Sequence, residues 1–460
     1  MTQIHKARNK NSPGQTGTDE SAATSRNLEQ ILKEVDSKFT FEKRDDLAKL
    51  VNWSSTKDAP LHRWIRYREA YSPSLIDALG LDGRILDPFC GCGSMLIGAA
   101  ARGRLSTGID LNPLATFAAR VKSSPLSKRE IRDIKSFNKS LPQVLPIDVE
   151  LWLPEFSVAH KMFEPVILHT LLRIRSAVAT CSMSERARDF LHLCWIAILE
   201  EVGNYYKEGN GIKYRNVQRR PGKYVAKEDG VWQRKRFGED QEAFVLNAFV
   251  RHLGVMLADT DLWHPNWCEP EIIRGSSLNM PSLTESKFDS IVFSPPYANR
   301  FDYFESMKVE LWFGGFVKEK TDLQELRKSS LRSHLSSDLA RDQEEFETLE
   351  QLIELMDRSA SSWRMGVPNL LRGYFSDIVE VLRHCRDKLD SGACYVVVGN
   401  SAFGGMIVPS DTLTAEAGLR AGFREADIWV TRHLTVAPQQ RASLAGLEGF
   451  MRESVVVLRP

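Results

Sequence analysis

The period of the apolar positions changes several times along the chain, and each change marks an element. Residues 28–50 (LEQILKEVDSKFTFEKRDDLAKL) space their apolar side chains by three and four, which predicts helix. The stretch from Trp53 to Leu79 gathers Trp64, Ile65 and Tyr67, then turns at Ser72-Pro73 into a short helix. Arg84-Ile85-Leu86 reads as a short strand, Met95 to Arg102 as a helix of small and apolar residues, and Leu105 to Ile109 as a second strand ending at Asp110. Strand, helix and strand in this succession begin a parallel, doubly wound sheet. From about 125 to 270 the strand pattern is lost. Helical stretches around 160–178 and 184–206 lead into a segment, about 207–240, rich in Gly, Arg and Lys, and the whole reads as a mainly helical insertion. Glu271 to Arg274 and Phe288 to Phe293 resume the sheet. A second, highly charged insertion at about 315–370 is also expected to be helical. Helix 373–389 then precedes a strand from Ala393 to Val398, and the runs Asp427 to Val430 and Ser454 to Leu458 suit an edge hairpin on the same sheet. No internal repeat interrupts this order.

These elements divide the chain into a disordered tail (1–27), N-terminal helices with a cofactor-binding half-domain (28–124), a basic insertion (125–270), and a catalytic half-domain (271–460) carrying the insertion 315–370. The tail is assigned from its Ser, Thr, Gly, Asn and Lys content, too polar to offset the entropy of ordering. With 42% hydrophobic and 26% charged residues the chain falls among globular rather than disordered or membrane proteins. A net charge of +1 means that any nucleic-acid surface must come from local basic clusters. Cys90, Cys92, Cys181, Cys194, Cys268, Cys385 and Cys394 show no paired C-x-x-C or Cys/His spacing, so reduced cytoplasmic thiols are expected, with no disulfide framework and no metal site. No signal core and no apolar run of about 18 residues argue for a membrane segment.

Candidate chemistry begins at the turn between the first strand and helix, Asp87-Pro88-Phe89-Cys90-Gly91-Cys92-Gly93-Ser94. Glycines there let backbone amides approach a ligand. Asp110 ends the next strand, where a carboxylate binds the ribose hydroxyls of an adenosine cofactor. The three-glycine spacing that opens a helix to pyrophosphate is missing, which argues against NAD. S-adenosylmethionine carries no phosphate, and its cationic amino and sulfonium groups favour a nearby carboxylate such as Asp87.

The second constellation, Ser294-Pro295-Pro296-Tyr297, directly follows the apolar run FDSIVF. Two prolines cannot continue a central strand and fix a rigid turn at its carboxyl end, where open α/β sheets place their ligands. An aromatic amine is a poor nucleophile because its lone pair is delocalised into the ring. Acceptors on its N–H bonds, here the Ser294 hydroxyl and the Pro295 carbonyl, draw the nitrogen toward tetrahedral geometry for one direct methyl displacement. The Tyr297 ring suits stacking on a base swung out of a duplex.

Together these motifs resemble the amino-methyltransferases that act on DNA cytosine N4 or adenine N6. In that family a D-P-F-x-G-x-G-[ST] turn binds the methionine part of the cofactor, which implies roles for Asp87, Pro88, Phe89, Gly91, Gly93 and Ser94. The family's preceding Ser-Pro segment resembles Tyr71-Ser72-Pro73. Its [DNS]-P-P-[YFW] motif matches SPPY, implying catalytic roles for Ser294, Pro295, Pro296 and Tyr297. The Ser variant is most similar to the N4-cytosine branch, although many enzymes of that branch carry the two motifs in reverse order. The resemblance implies a seven-stranded class I methyltransferase (Rossmann-like) sheet with two helical insertions, S-adenosyl-L-methionine as cofactor, double-stranded DNA with a flipped base as substrate, and a cognate restriction or defence protein as a companion. It also implies direct transfer, with Cys90 and Cys92 filling space rather than acting as nucleophiles. Gly275 to Leu278 is expected to border the adenine ring.

For DNA contacts, residues 209–227 and 232–238 interleave cations with aromatics, and Arg215, Arg219, Arg220, Lys223, Arg234, Lys235 and Arg236 are candidates for phosphates or guanine edges. Asn299 and Arg300, with Asp302 and Tyr303, are candidates for the base pocket or a phosphate grip. Two rival readings stay open: an RNA base amino-methyltransferase, and a non-catalytic DNA-binding scaffold.

Overall fold

Eight strands make one sheet in a computed structural model that describes residues 16–53, 56–67, 70–146, 159–208, 211–220, 223–227, 230–341, 343–356, 361–436 and 440–460; for 16–25, 218–220, 223–226 and 361 only the backbone is described. The strands are β1 (Thr40–Lys43), β2 (Ile85–Asp87), β3 (Ser106–Asp110), β4 (Glu271–Arg274), β5 (Ser290–Phe293), β6 (Cys394–Gly399), β7 (Glu425–His433) and β8 (Arg452–Arg459). Their order across the sheet is β1-β7-β8-β6-β5-β2-β3-β4. β8 runs antiparallel to both its neighbours, and the other pairings are parallel. This is the mostly parallel, doubly wound α/β architecture of a class I methyltransferase.

The central strands carry apolar residues facing both ways, as burial on two faces requires. On one face Leu86, Ile109, Ile291, Phe293, Val396, Val456 and Leu458 pack under helices α1 (Thr16–Asp36), α4 (Val367–Lys388) and α5 (Ser410–Arg420). On the other, Ile85, Val292, Val397, Val455 and Val457 meet Met95 and Ala99 of α2 (Ser94–Ala100). The period of two along β5, β6 and β8 sends successive side chains to opposite cores. Helix α3 (Pro113–Ser123) follows β3 and joins a third core.

That third core belongs to the middle insertion. Helices Pro165–Thr180, Glu185–Ala197 and Gln241–Asp259 enclose Phe190, Trp195 and Phe249, and the core continues into Met307, Leu311 and Phe313 downstream of SPPY. The Trp195 indole N–H donates to the Leu171 carbonyl at 2.7 Å, so its one polar atom is satisfied in the interior.

Several elements differ from the sequence reading. The sheet has eight strands, not seven, because β1 forms inside the stretch 28–50 expected to be wholly helical. Its residues TFEK carry their apolar side chain beside a β7 edge that offers parallel pairing from Asp427 to Val430, and that tertiary partner overrides the helical spacing. The final hairpin β7–β8 is present but does not form the edge, since β1 covers β7 and β6 pairs with β8. Helix α1 begins at Thr16, within the tail expected to be disordered; residues 1–15 lie outside the described residues. The basic part of the middle insertion is not helical throughout. Strands Tyr205–Glu208 and Gly211–Tyr214 form one hairpin, and Val217–Arg220 and Lys223–Ala226 another, β-branched and aromatic residues alternating with cations. The charged insertion is only partly helical: the described residues between helix Lys320–Lys328 and helix Glu347–Glu354 are irregular.

Candidate active site

β2 ends at Asp87, and the chain turns at once toward α2. The Asp87 carboxylate accepts the Phe89 amide at 3.0 Å and the Tyr71 hydroxyl at 2.5 Å. Burial pushes this carboxyl up to about 7, against the opposing pull of those hydrogen bonds. One strand over, Asp110 accepts the Gly91 amide at 2.9 Å and the Asn112 amide at 2.8 Å, which ties the turn to the end of β3. Burial raises Asp110 to about 6, and the two amides offset part of that rise. Neither carboxylate has an ion pair among the described residues. The turn itself needs glycine. Gly91 and Gly93 have φ of +49° and +83°, and a Cβ would stand 3.0 Å from the Tyr67 ring at the first and 3.0 Å from Ala119 Cβ at the second.

SPPY follows β5 as the sequence requires. The Tyr297 hydroxyl donates to Glu453 of β8 at 3.2 Å, and Glu453 also accepts from Arg432 of β7 at 2.6 Å. Burial, with the Glu453 carboxylate next in weight, holds the Tyr297 phenol well above its usual range, so it stays neutral. A Cβ at position 399 would lie 3.0 Å from the ring, so Gly399 at the end of β6 lets Tyr297 lie close to the backbone.

The two motifs border one cavity of about 330 Å³ at the carboxyl ends of the parallel strands. Tyr71, Phe89, Gly91 and Asp110 line it from the cofactor turn. Ser294, Pro295, Pro296, Tyr297 and Asn299 line it from SPPY. Gly275 to Ser277, Tyr303 and Phe304 border it as well. Other candidates stand behind the wall. Ser72 is buried and its amide binds the Leu50 carbonyl at 2.7 Å; Pro88 accepts the Ser277 hydroxyl; Gly93 and Ser94 start α2. Asp87 supports Tyr71 and the turn rather than the cavity surface. Arg300, at φ +65°, sets its guanidinium over Phe403 at 5.4 Å, and Asp302 caps helix Tyr303–Ser306 and holds Arg327 at 2.8 Å.

Three parts of the lining were not expected. Val51 to Trp53 and Tyr67 come from the N-terminal segment, Ser330, Leu331, Ser333 and His334 from the charged insertion, and Arg432 with Glu453 from the last hairpin. Glu453 has a visible signal, an acid just ahead of the apolar run VVVL in its strand (RESVVVLR). Arg432 sits on β7 without a motif, and the rest come from irregular chain.

The basic candidates divide. Arg234 and Lys235 are exposed on helix Val231–Phe237. Arg236 is half-buried with its guanidinium on the Glu201 carbonyl at 2.5 Å, and Arg215 lies over the Tyr206 ring at 5.3 Å. The side chains of Arg219, Arg220 and Lys223 lie outside the described residues. Among the described residues no group of three or more His, Cys, Asp or Glu side chains is placed to hold a metal ion, and no helix is long and apolar enough to cross a membrane.

No family model matches the chain. It is 25% identical over 435 residues to the type II methyltransferase M.BsoBI of Geobacillus stearothermophilus, a match spanning 84% of this chain and 82% of that protein. It is 22% identical over 407 residues to the type II methyltransferase M.AvaI of a Nostoc strain, spanning 83% of each chain, and 21% identical over 257 residues to M.MvaI of Kocuria varians, spanning 53% of each. With the sheet topology and the two motifs on one cavity, this similarity to type II methyltransferases along most of the chain supports an S-adenosylmethionine-dependent DNA methyltransferase.

Proposed function

We propose that the chain methylates the exocyclic N4 amino group of cytosine within a specific double-stranded DNA sequence. The observation that carries this reading is the meeting of the cofactor turn and SPPY on one cavity. The cofactor half fits S-adenosylmethionine. Gly91 leaves room for no side chain, Asp110 offers a carboxylate for ribose hydroxyls, and the buried Asn112 Nδ2 has no hydrogen-bond partner among the described residues. Tyr71, Phe89 and Gly91 would border the methionine portion, with Ser72, Asp87, Pro88, Gly93 and Ser94 supporting them from behind. When bound, S-adenosylmethionine supplies an electrophilic methyl group on a sulfonium.

The protein's own part is acceptance and positioning. The Ser294 hydroxyl and the Pro295 carbonyl take the two N–H bonds of the amine, and Pro296 keeps the loop rigid. Tyr297 presents its ring to the flipped base, fixed by Gly399, Glu453 and Arg432. Serine at the head of SPPY favours cytosine N4 over adenine N6.

The first basic hairpin supports a DNA-facing role for the middle insertion. Strand Gly211–Tyr214 packs against helix Tyr303–Ser306 beside the cavity, and Lys207 pairs with Glu310 at 2.7 Å. Arg234 and Lys235 are exposed cations available to phosphates, with Asn299 nearer the base. A cytoplasmic enzyme partnered in function with a restriction endonuclease of the same site follows from this reading.

Mass spectrometry of nucleosides tests it, after expression in a host lacking DNA methyltransferases. N4-methylcytosine in DNA is the expected result. N6-methyladenine would keep the mechanism and change the base, and a methylated base in RNA alone would overturn the DNA reading.

A further inference from the structure

The chain between helices Lys320–Lys328 and Glu347–Glu354 plays no part in the proposed transfer, yet it borders the cavity through Ser330, Leu331, Ser333 and His334. It is firmly held. Arg332 binds Asp377 of α4 through its amide at 2.8 Å and its guanidinium at 3.1 and 2.7 Å. Arg341 reaches the same carboxylate at 3.2 Å and the Ser330 carbonyl at 3.1 Å. The Ser276 hydroxyl, just beyond β4, donates to the Ser329 carbonyl at 2.8 Å. The loop therefore hangs on the β4 side of the cavity, next to β3 and Asp110. Tyr297 leans the other way, toward β6 and β8. With Asp110 on the ribose, the loop stands where the adenine would lie.

The hydrogen bonds around His334 fix its tautomer. Its Nε2 lies 3.2 Å from the Ser330 hydroxyl. That hydroxyl has a single proton, and its nearer acceptor is the Arg327 carbonyl at 2.7 Å. The contact with His334 is then made by the Nε2 proton, which leaves Nδ1 as an acceptor in the neutral ring. Burial disfavours the charged imidazole, as does Arg327, while Asp302 acts against them. Nδ1 is buried and has no hydrogen-bond partner among the described residues. A buried acceptor at this position calls for an N–H donor on the ligand. The 6-amino group of adenine supplies one, whereas a 6-oxo purine sets an acceptor oxygen at that position and carries its proton on N1 instead.

We infer that His334 Nδ1 accepts from the amino group of the cofactor's adenine, which makes the charged insertion part of the cofactor site. The inference rests on the proposed use of S-adenosylmethionine. Isothermal titration of S-adenosylhomocysteine and of its 6-oxo counterpart, S-inosylhomocysteine, tests it on the full chain. One neutral hydrogen bond predicts that the wild type prefers the amino ligand by roughly three- to ten-fold. His334→Ala should lose that preference. His334→Asn, whose amide oxygen falls where Nδ1 stands, should keep it. Ser330→Ala, which releases the Nε2 proton, should weaken it while leaving the ring in place, and serves if the alanine variant at 334 fails to fold. An unchanged preference in His334→Ala, or equal losses in the Ala and Asn variants alongside a lowered melting temperature, would overturn the inference. A protein that follows the expected ligand pattern but leaves DNA unmodified would keep this inference and sink the proposed substrate. A wild type that binds neither ligand would end both.

Discussion

Cofactor binding should depend on pH through Asp110. In the ligand-free protein burial holds this carboxyl at about 6, so near that pH half the molecules carry it protonated. Ribose hydroxyls donate to the ionised form, and a bound ligand should return the group toward the ordinary carboxylate value of about 4. Linkage then gives a simple magnitude. Between pH 7.5 and pH 5 the affinity should fall about ten-fold, and binding near pH 6 should release about half a proton. Titration calorimetry with S-adenosylhomocysteine across that range, in paired buffers of different ionisation enthalpy, measures both. Asp110→Asn is the control. It should bind roughly ten- to a hundred-fold more weakly at pH 7.5, having lost charge-assisted hydrogen bonds, and its affinity should vary little with pH. A wild-type affinity that stays flat from pH 5 to 7.5, or an Asp110→Asn variant with the wild-type profile, would refute the assignment of Asp110 to the ribose.

Further outcomes are expected elsewhere. Ser294→Ala should lower kcat by about 10²–10³-fold in a tritium-transfer assay while leaving S-adenosylhomocysteine affinity unchanged, since it removes one acceptor from the reacting amine; a matching loss of cofactor affinity would contradict that role. Gly93→Ala, forced to φ +83° with its new Cβ 3.0 Å from Ala119, should lose about 1–3 kcal/mol in denaturant unfolding. Asp377→Ala strands the buried Arg332 guanidinium and should cost about 3–5 kcal/mol, read the same way. Asp87 has a folded value of about 7, above its unfolded value of about 3.9, so the stability it contributes is full below about pH 4 and is lost as pH rises through 7. Asp87→Asn should therefore flatten the fall in melting temperature of the ligand-free protein between pH 5 and 8, and an unaltered slope would count against it.

What the sequence made legible was local. Asp87 to Ser94 and Ser294 to Tyr297 each pack their chemistry into consecutive residues at a strand end, so the motif and its place in the fold coincide. The strands around them are short but apolar on both faces, a pattern that survives without partners. The rest of the cavity comes from distant chain, some of it irregular and some on β7 and β8. His334 reaches it because Asp377 grips Arg332 across 45 residues, and no spacing rule announces that pairing. Glu453 reaches Tyr297 only because β8 lies beside β6. β1 was misread for a similar reason: its sequence tolerates either state, and the partner that decides between them lies in β7. Among the cations, Arg215 and Arg236 sit in a composition that suits DNA, yet each is already engaged within the chain, which composition cannot reveal.

The far edge of the sheet joins the two ends of the described chain: β1 lies along β7, and Arg452 of β8 binds Asp36 at the end of α1, 416 residues away in sequence. During synthesis these early residues emerge long before their partners exist. Until β7 and β8 leave the ribosome, β1 has nothing to pair with and β6 keeps an open edge. The nascent protein therefore passes through a prolonged stage with adhesive strand edges and a half-covered core, and closure is its final folding event. Yield of soluble enzyme should consequently respond to translation rate and to chaperone supply more strongly than the stability of the finished fold would suggest.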